Sequence, residues 1–238
     1  MSHTTDSAGP TFTRAERLLI VPQAHTAILH TQFQLEMYEL FHRTAGGRIG
    51  HMIGTPTILA GLTMLLTVAT GTLWPAAALF GVIALYGLRI DLLAGAITAV
   101  AGGGLMALTL VTMPAEPGQA LMVSAGLIVG GLMVQTGSHM FEDVPPPHSG
   151  TDEFMPLGQW VLQVGVLEML RSALLAFTVF LALELWATFR IWPLQLLHVL
   201  MAVGYRPELR AALTARSEEI VAEPGTSWRR PGRKTVDA

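Results

Sequence analysis

The middle of the chain is a run of apolar segments separated by short polar turns. The apolar segments cover residues 53–70, 73–88, 92–113 and 120–135. Between residues 54 and 134 only three side chains are charged, Arg89, Asp91 and Glu116. A helix needs about 20 apolar residues to cross the ~30 Å hydrocarbon core of a bilayer, and each segment is near that length. The pattern predicts four transmembrane helices.

The part of the chain before this block is more polar. Residues 1–13 are rich in Ser, Thr and Gly and are predicted to be disordered. Residues 14–52 alternate apolar and polar positions less regularly, which predicts one or two amphipathic helices at the membrane surface. A flexible turn is predicted at Gly46, Gly47 and Gly50, just before the first span.

The part of the chain after the block returns to the membrane. We assign residues 53–205 to the transmembrane bundle, including a polar loop at 136–157 and two further apolar segments, 157–186 and 189–205. Residues 206–238 are polar and basic and are predicted to form a cytoplasmic tail. The predicted fold is therefore an all-α, polytopic membrane bundle with about five to six spans and amphipathic N-terminal helices.

Composition agrees with the membrane assignment. Hydrophobic residues make up 51% of the chain and charged residues 13%, against roughly a quarter charged in soluble domains. The absence of cysteine excludes disulfides and thiolate metal sites. The basic tail has few interleaved aromatic residues, so it favours contact with anionic membrane lipids over binding of nucleic acid.

The arginines predict the orientation of the spans. Cytoplasmic loops carry an excess of Lys and Arg, so the N-terminus and the turn after the second span are predicted to be cytoplasmic. The arginines that indicate this are Arg14, Arg17, Arg43, Arg48 and Arg89. Four spans, an even number, separate the polar residues before the block from those after it. The polar residues at the two ends of the block, and the basic C-terminal tail, are therefore expected on the cytoplasmic face.

These two polar sites contain the candidate chemistry. His42 and His51 precede the apolar block, with Glu39 three positions before His42, and His139 and Glu142 follow it. Residues three apart share a helix face, so each histidine site is expected to offer a carboxylate as well. Neutral imidazole is the commonest protein ligand for iron or zinc, and carboxylates complete such sets. The spacing predicts one metal site made by both ends of the block.

The motifs around these histidines resemble the membrane 2-hydroxy fatty acid dioxygenase family. The matching residues are Tyr38-x-x-x-His42, His51-x-x-Gly54-x-Pro56, and Gln135-x-x-x-His139-x-Phe141-Glu142-x-x-Pro145, in that order. The resemblance extends over residues 38–186. It implies Fe(II)-dependent α-oxidation, in which a 2-hydroxy fatty acid reacts with O2 and is shortened by one carbon.

The resemblance also implies roles for individual residues. His42, His51 and His139 would bind the metal, and Glu142 would be a further ligand or would support one. Glu39 is a second candidate carboxylate ligand. Residues expected to support the site or contact a lipid-like substrate are Tyr38, Arg43, Arg48 and Gln135. From its charge, either Arg43 or Arg48 is expected to steer the substrate carboxylate.

Two other classes of function stay open at this point. One is a di-iron membrane hydroxylase built from the same histidines and carboxylates, since paired Glu and His on facing helices form such sites. The other is a small transporter or assembly protein in which Glu168 and Arg171, three residues apart in an apolar segment, line a cavity. His198 lies on an apolar helix without an obvious partner, and it is predicted to be structural.

Overall fold

The computed structural model describes residues 30–139 and 185–222. Within these ranges every regular element is helical and no strand occurs, which confirms the all-α class. The helices are α1 (Thr31–Phe41), α2 (Ala45–Thr70), α3 (Trp74–Ile90), α4 (Leu92–Thr112), α5 (Pro117–Ser138), α6 (Leu185–Ala202) and α7 (Pro207–Ala222). The predictions for the disordered start, for Glu142 and for Glu168 and Arg171 fall outside the described residues.

Three of these helices, α2, α4 and α5, are long and apolar enough to cross a membrane. Helix α3 is apolar but has only 17 residues, about 25 Å of helix at 1.5 Å per residue. Helices α6 and α7 pass the same test only as a pair bent by 113°. The described residues thus hold three candidate spans, or four if the bent pair is one span. The total of five to six, which includes residues 157–186, stays a prediction.

Large apolar side chains point outward along the spans. Val100 and Val111 on α4 are 78% and 85% exposed, and Met133 on α5 is 70% exposed. Contiguous apolar surface of this kind marks a region that something apolar covers. On helices of membrane-spanning length that covering is the lipid bilayer, so the chain is an integral membrane protein.

Glycines bring α2 and α5 into direct backbone contact. A methyl group added at Gly54 would lie 2.7 Å from the carbonyl oxygen of Gly131, and one added at Gly131 would lie 2.8 Å from the carbonyl oxygen of Gly54. Only a residue without a β-carbon fits at either place. The Ser124 hydroxyl donates a hydrogen bond to the Gly61 carbonyl oxygen at 2.8 Å. Small residues that allow close approach are a usual means of packing helices in lipid, where apolar burial gives no preference between partners.

Helix α2 begins earlier than the sequence pattern indicated. Thr44 caps it by accepting a hydrogen bond on its hydroxyl from the backbone N–H of Gly47 at 3.1 Å. Gly46, Gly47 and Gly50 therefore lie inside the helix and do not form the predicted flexible turn. Gly50 serves packing, because a methyl group there would collide with the Ser138 side chain at the end of α5. The start of α2 and the end of α5 lie side by side, and we call this the histidine end of the bundle.

Helices α1 and α7 cover the histidine end. Residues 33–41 of α1 are all buried, so this helix is not the amphipathic surface helix that the sequence suggested. Its polar residues are enclosed because other helices supply partners. Gln34 accepts a hydrogen bond from Arg190 on α6 at 2.8 Å, and Glu39 accepts one from Thr214 on α7 at 3.4 Å.

Asp91 ties the start of α4 to the corner between α6 and α7. Its carboxylate accepts a hydrogen bond from the backbone N–H of Ala94 at 3.0 Å, which caps α4. The Tyr205 hydroxyl donates to the same carboxylate at 3.2 Å, and Arg206 forms an ion pair with it at 2.9 Å. Residues from 206 onward were predicted to form a separate tail. Instead, the chain turns here on the bundle itself and continues as α7.

We expect Asp91→Ala to lower the free energy of unfolding by about 1–2 kcal/mol, because it removes the helix cap and leaves the Tyr205 hydroxyl without its acceptor. Asp91→Asn should cost less, since asparagine also caps helices. The charge that it removes pairs with an Arg206 side chain that is 48% exposed, and such pairs contribute little. Thermal unfolding of both variants in detergent measures the difference, and equal losses would contradict the role assigned to the cap.

Candidate metal centre

Three imidazole rings converge at the histidine end. His42 follows the last residue of α1, His51 lies in the second turn of α2, and His139 follows the last residue of α5. The rings are 4%, 0% and 5% exposed, in that order. Each offers one nitrogen, and these nitrogens all lie within 4.8 Å of one another. The prediction that residues from both ends of the apolar block meet in a group able to bind a metal ion is confirmed.

The His42 ring is oriented by Tyr38. Its Nδ1 lies 2.8 Å from the Tyr38 carbonyl oxygen and, because a carbonyl only accepts, Nδ1 is the donor. The two rings stack with centroids 4.2 Å apart. This tautomer leaves a lone pair on Nε2, which is buried and has no hydrogen-bond partner among the described residues. A buried lone pair aimed at two other imidazoles is what a metal ligand requires.

His51 and His139 face each other through Nε2. The two nitrogens are 2.9 Å apart, although the residues are separated by 88 positions in the chain. A metal–nitrogen bond is about 2.1 Å long, which places neighbouring ligand nitrogens roughly 3 Å apart. The observed separation suits two adjacent nitrogens on an octahedral cation, and without a cation it is that of a hydrogen bond between the two rings. The donor set chemically fits a metal that prefers imidazole.

Burial keeps the His42 ring in the form that binds metals. Removal from water lowers its pKa well below the usual value for histidine, and the adjacent His51 and His139 lower the pKa further. A histidine with so low a pKa is neutral at physiological pH. Neutral imidazole is the ligand form, so no proton has to be displaced before His42 binds a cation.

Glu39 does not join the histidine group. Its carboxylate lies 3.0 Å from Arg48 and 3.2 Å from His198. Burial is the largest single influence and raises its pKa, but the interactions with His198, Arg48 and Thr214 together outweigh burial, so the pKa is below the usual value and the group is ionised. The expectation of a shared helix face fails because α1 ends at Phe41, and His42 leaves the helix with φ −134° and ψ 49°.

His198 is the buried polar residue for which the sequence indicated no partner. Its Nδ1 donates to the Leu194 carbonyl oxygen at 2.8 Å, and its ring centroid is 4.4 Å from that of Tyr38. Tyr38 thus contacts His42 and His198 with the same ring. The structural role predicted for His198 fits these contacts. Its pairing with Glu39 joins residues far apart in the chain, and no local pattern could have indicated it.

The other predicted site residues surround the group without entering it. Gln135 lies one turn before His139, is 1% exposed, and accepts a hydrogen bond from Thr55 at 3.3 Å. Arg48 donates to the His42 carbonyl oxygen as well as to Glu39. Arg43 points to α7, where it contacts the backbone carbonyl and the hydroxyl of Ser217. Glu142 lies outside the described residues.

Comparisons of the chain with protein-family models, with curated proteins and with solved structures give no match. The resemblance to the 2-hydroxy fatty acid dioxygenases therefore remains a hypothesis. It rests on the three motifs around His42, His51 and His139.

Proposed function

We propose that this protein is a membrane-embedded non-haem Fe(II) dioxygenase. His42, His51 and His139 would hold the iron, and the substrate would be a 2-hydroxy fatty acid or a similar lipid-like molecule. The convergence of three buried imidazoles, with the His42 Nε2 lone pair unused, is the observation that supports it most strongly. Imidazole nitrogens suit iron, and three protein ligands leave positions open for O2 and substrate.

The chain's own residues have separate tasks in this proposal. Bound iron would supply Lewis acidity and the electrons that activate O2. The Tyr38 carbonyl fixes the His42 tautomer, and the tight contact of α2 with α5 holds His51 beside His139. Burial of all three rings keeps bulk water from the group. Arg48, fixed between Glu39 and the His42 carbonyl, places a positive charge next to the site.

The proposed reaction is chemically balanced. One 2-hydroxy acid and one O2 give a fatty acid one carbon shorter, one CO2 and one water. The substrate has a charged head and an apolar tail, which suits a site at the end of a membrane bundle. Each buried CH2 group of the tail stabilises the complex by about 0.8 kcal/mol.

We place the histidine end at the cytoplasmic face. Lys and Arg are enriched on that side of membrane proteins. The described arginines that contact α1, α7 or the turn at Asp91 gather at this end, and they include Arg43, Arg48, Arg206, Arg210 and Arg216.

Elemental analysis of the purified full-length protein, combined with a turnover assay, tests the function. We expect one iron per chain and O2-dependent formation of the shortened acid and CO2 from a 2-hydroxy fatty acid, with no product under nitrogen. Two irons per chain would instead support the di-iron hydroxylase, which is less favoured because Glu39 is engaged by Arg48 and His198. Protein purified without chelator that contains no metal would support the transporter or assembly protein.

A further inference from the structure

A charged pocket lies between the α1–α2 connection and α7. Its volume is about 220 Å³, and its charged lining residues are Arg43, Arg48, Arg210, Glu39 and Glu218, so the arginines outnumber the carboxylates. Arg48 also donates to the His42 carbonyl oxygen. Arg48 therefore connects the pocket to the backbone of His42.

Two of the arginines in this pocket have unused donors. Among the described residues, Arg43 forms hydrogen bonds only with Ser217, at 3.3 Å and 3.4 Å. Within the same residues, the hydrogen bonds of Arg210 are limited to the Met201 carbonyl oxygen, at 3.4 Å. Neither forms an ion pair with a carboxylate in the described parts of the chain, in contrast to Arg48, which pairs with Glu39. Five N–H groups in a planar fork suit an oxyanion, so two such side chains at one cavity indicate an anion-binding site.

An apolar groove adjoins the pocket on the inner side of the α6–α7 corner. Its volume is about 530 Å³, and Met201, Pro207 and Ala211 are among the residues that line it. Arg210, Thr214 and Glu218 line both cavities. A positive pocket that opens beside an apolar groove is complementary to a molecule with an anionic head and an apolar tail.

We propose that Arg43 and Arg210 bind the carboxylate of a fatty-acid-like ligand whose acyl chain begins in the adjoining groove. The bidentate match of guanidinium to carboxylate would fix the head in the pocket that Arg48 connects to the backbone of His42. This assignment deepens the proposed function and rests on it for the role of the ligand as substrate. Binding itself does not require the metal, so the two can fail separately.

Equilibrium binding to the full-length protein in detergent tests the assignment. The probes are a saturated long-chain fatty acid, its methyl ester and inorganic phosphate, and the proteins are wild type, Arg43→Gln/Arg210→Gln and the control Arg89→Gln. Arg89 is exposed on α3 and lines neither cavity. We expect wild type and control to bind the acid about 10- to 100-fold more tightly than the ester, as for hydrogen bonds to charged groups. The double variant should bind both probes equally.

The remaining outcomes overturn the assignment. Equal affinity of the wild type for acid and ester, or a preference for the acid that survives in the double variant, would show that these arginines do not hold the head. Inorganic phosphate competing as well as the fatty acid would exclude the groove. The variant His51→Ala separates pocket from metal. A preference for the acid that disappears in His51→Ala but survives in the double variant would place the head on the metal.

Discussion

We expect His51→Ala and His139→Ala each to abolish metal binding and to leave the protein folded in detergent. With either change, one of three ligands is gone and the other two cannot hold the ion. Even loss of a group that only supports a ligand lowers metal affinity by about 10–100-fold, and loss of a ligand should cost more. Metal content per chain, measured by elemental analysis after gel filtration, gives the result directly.

The fold should tolerate these changes because α2 and α5 also contact each other at several places away from the two rings. Gly54 packs against Gly131, and Ser124 donates a hydrogen bond to Gly61, and neither substitution touches these contacts. His30→Ala is the matched control, since His30 is exposed at the start of α1 and should retain wild-type metal content. Full iron loading in both His51→Ala and His139→Ala would show that the metal binds elsewhere and would end the dioxygenase proposal.

Gly131→Ala should lower the free energy of unfolding by about 1–3 kcal/mol, the usual cost of overpacking a tight contact. The added methyl group would lie 2.7 Å from the Ile58 side chain and 2.8 Å from the Gly54 carbonyl oxygen, and backbone cannot move aside cheaply. Helix α5 must shift away from α2, which moves His139 away from His51. We therefore expect weaker metal binding as well as lower stability.

The neighbouring residue provides the control. Gly130 has nothing within 4 Å of an added methyl group, so Gly130→Ala should be neutral or should stabilise the helix by up to about 1 kcal/mol. Thermal unfolding and metal content of the two variants, measured side by side, separate a packing effect from a general effect of alanine. Equal behaviour of the pair would show that the close contact of α2 with α5 does not hold the site together.

The gathering of the histidines could be predicted because it depends on the number of helices between them. An even number of spans returns the chain to the same face, and the lengths of the apolar segments predict that number. Helix α3 has only 17 residues, and it is still long enough to return the chain to Asp91, which lies beside Tyr205. Which histidines belong to the site followed from their position at the two ends of the apolar block.

The partners of the carboxylate could not be predicted. Glu39 contacts Arg48, His198 and Thr214, and the last lies 175 positions away. A three-residue spacing indicates a common helix face only while the helix continues, and α1 stops before His42. The burial of α1 on all sides has the same origin, because α6 and α7 supply its partners from the far end of the sequence.

The wide separation of His42 and His139 along the chain has a consequence for biogenesis. During synthesis the first two imidazoles leave the ribosome long before the third, and the site is incomplete until α5 has entered the bilayer and docked on α2. In the proposed function, metal loading would therefore follow membrane insertion, and the ion would be delivered to an already assembled bundle.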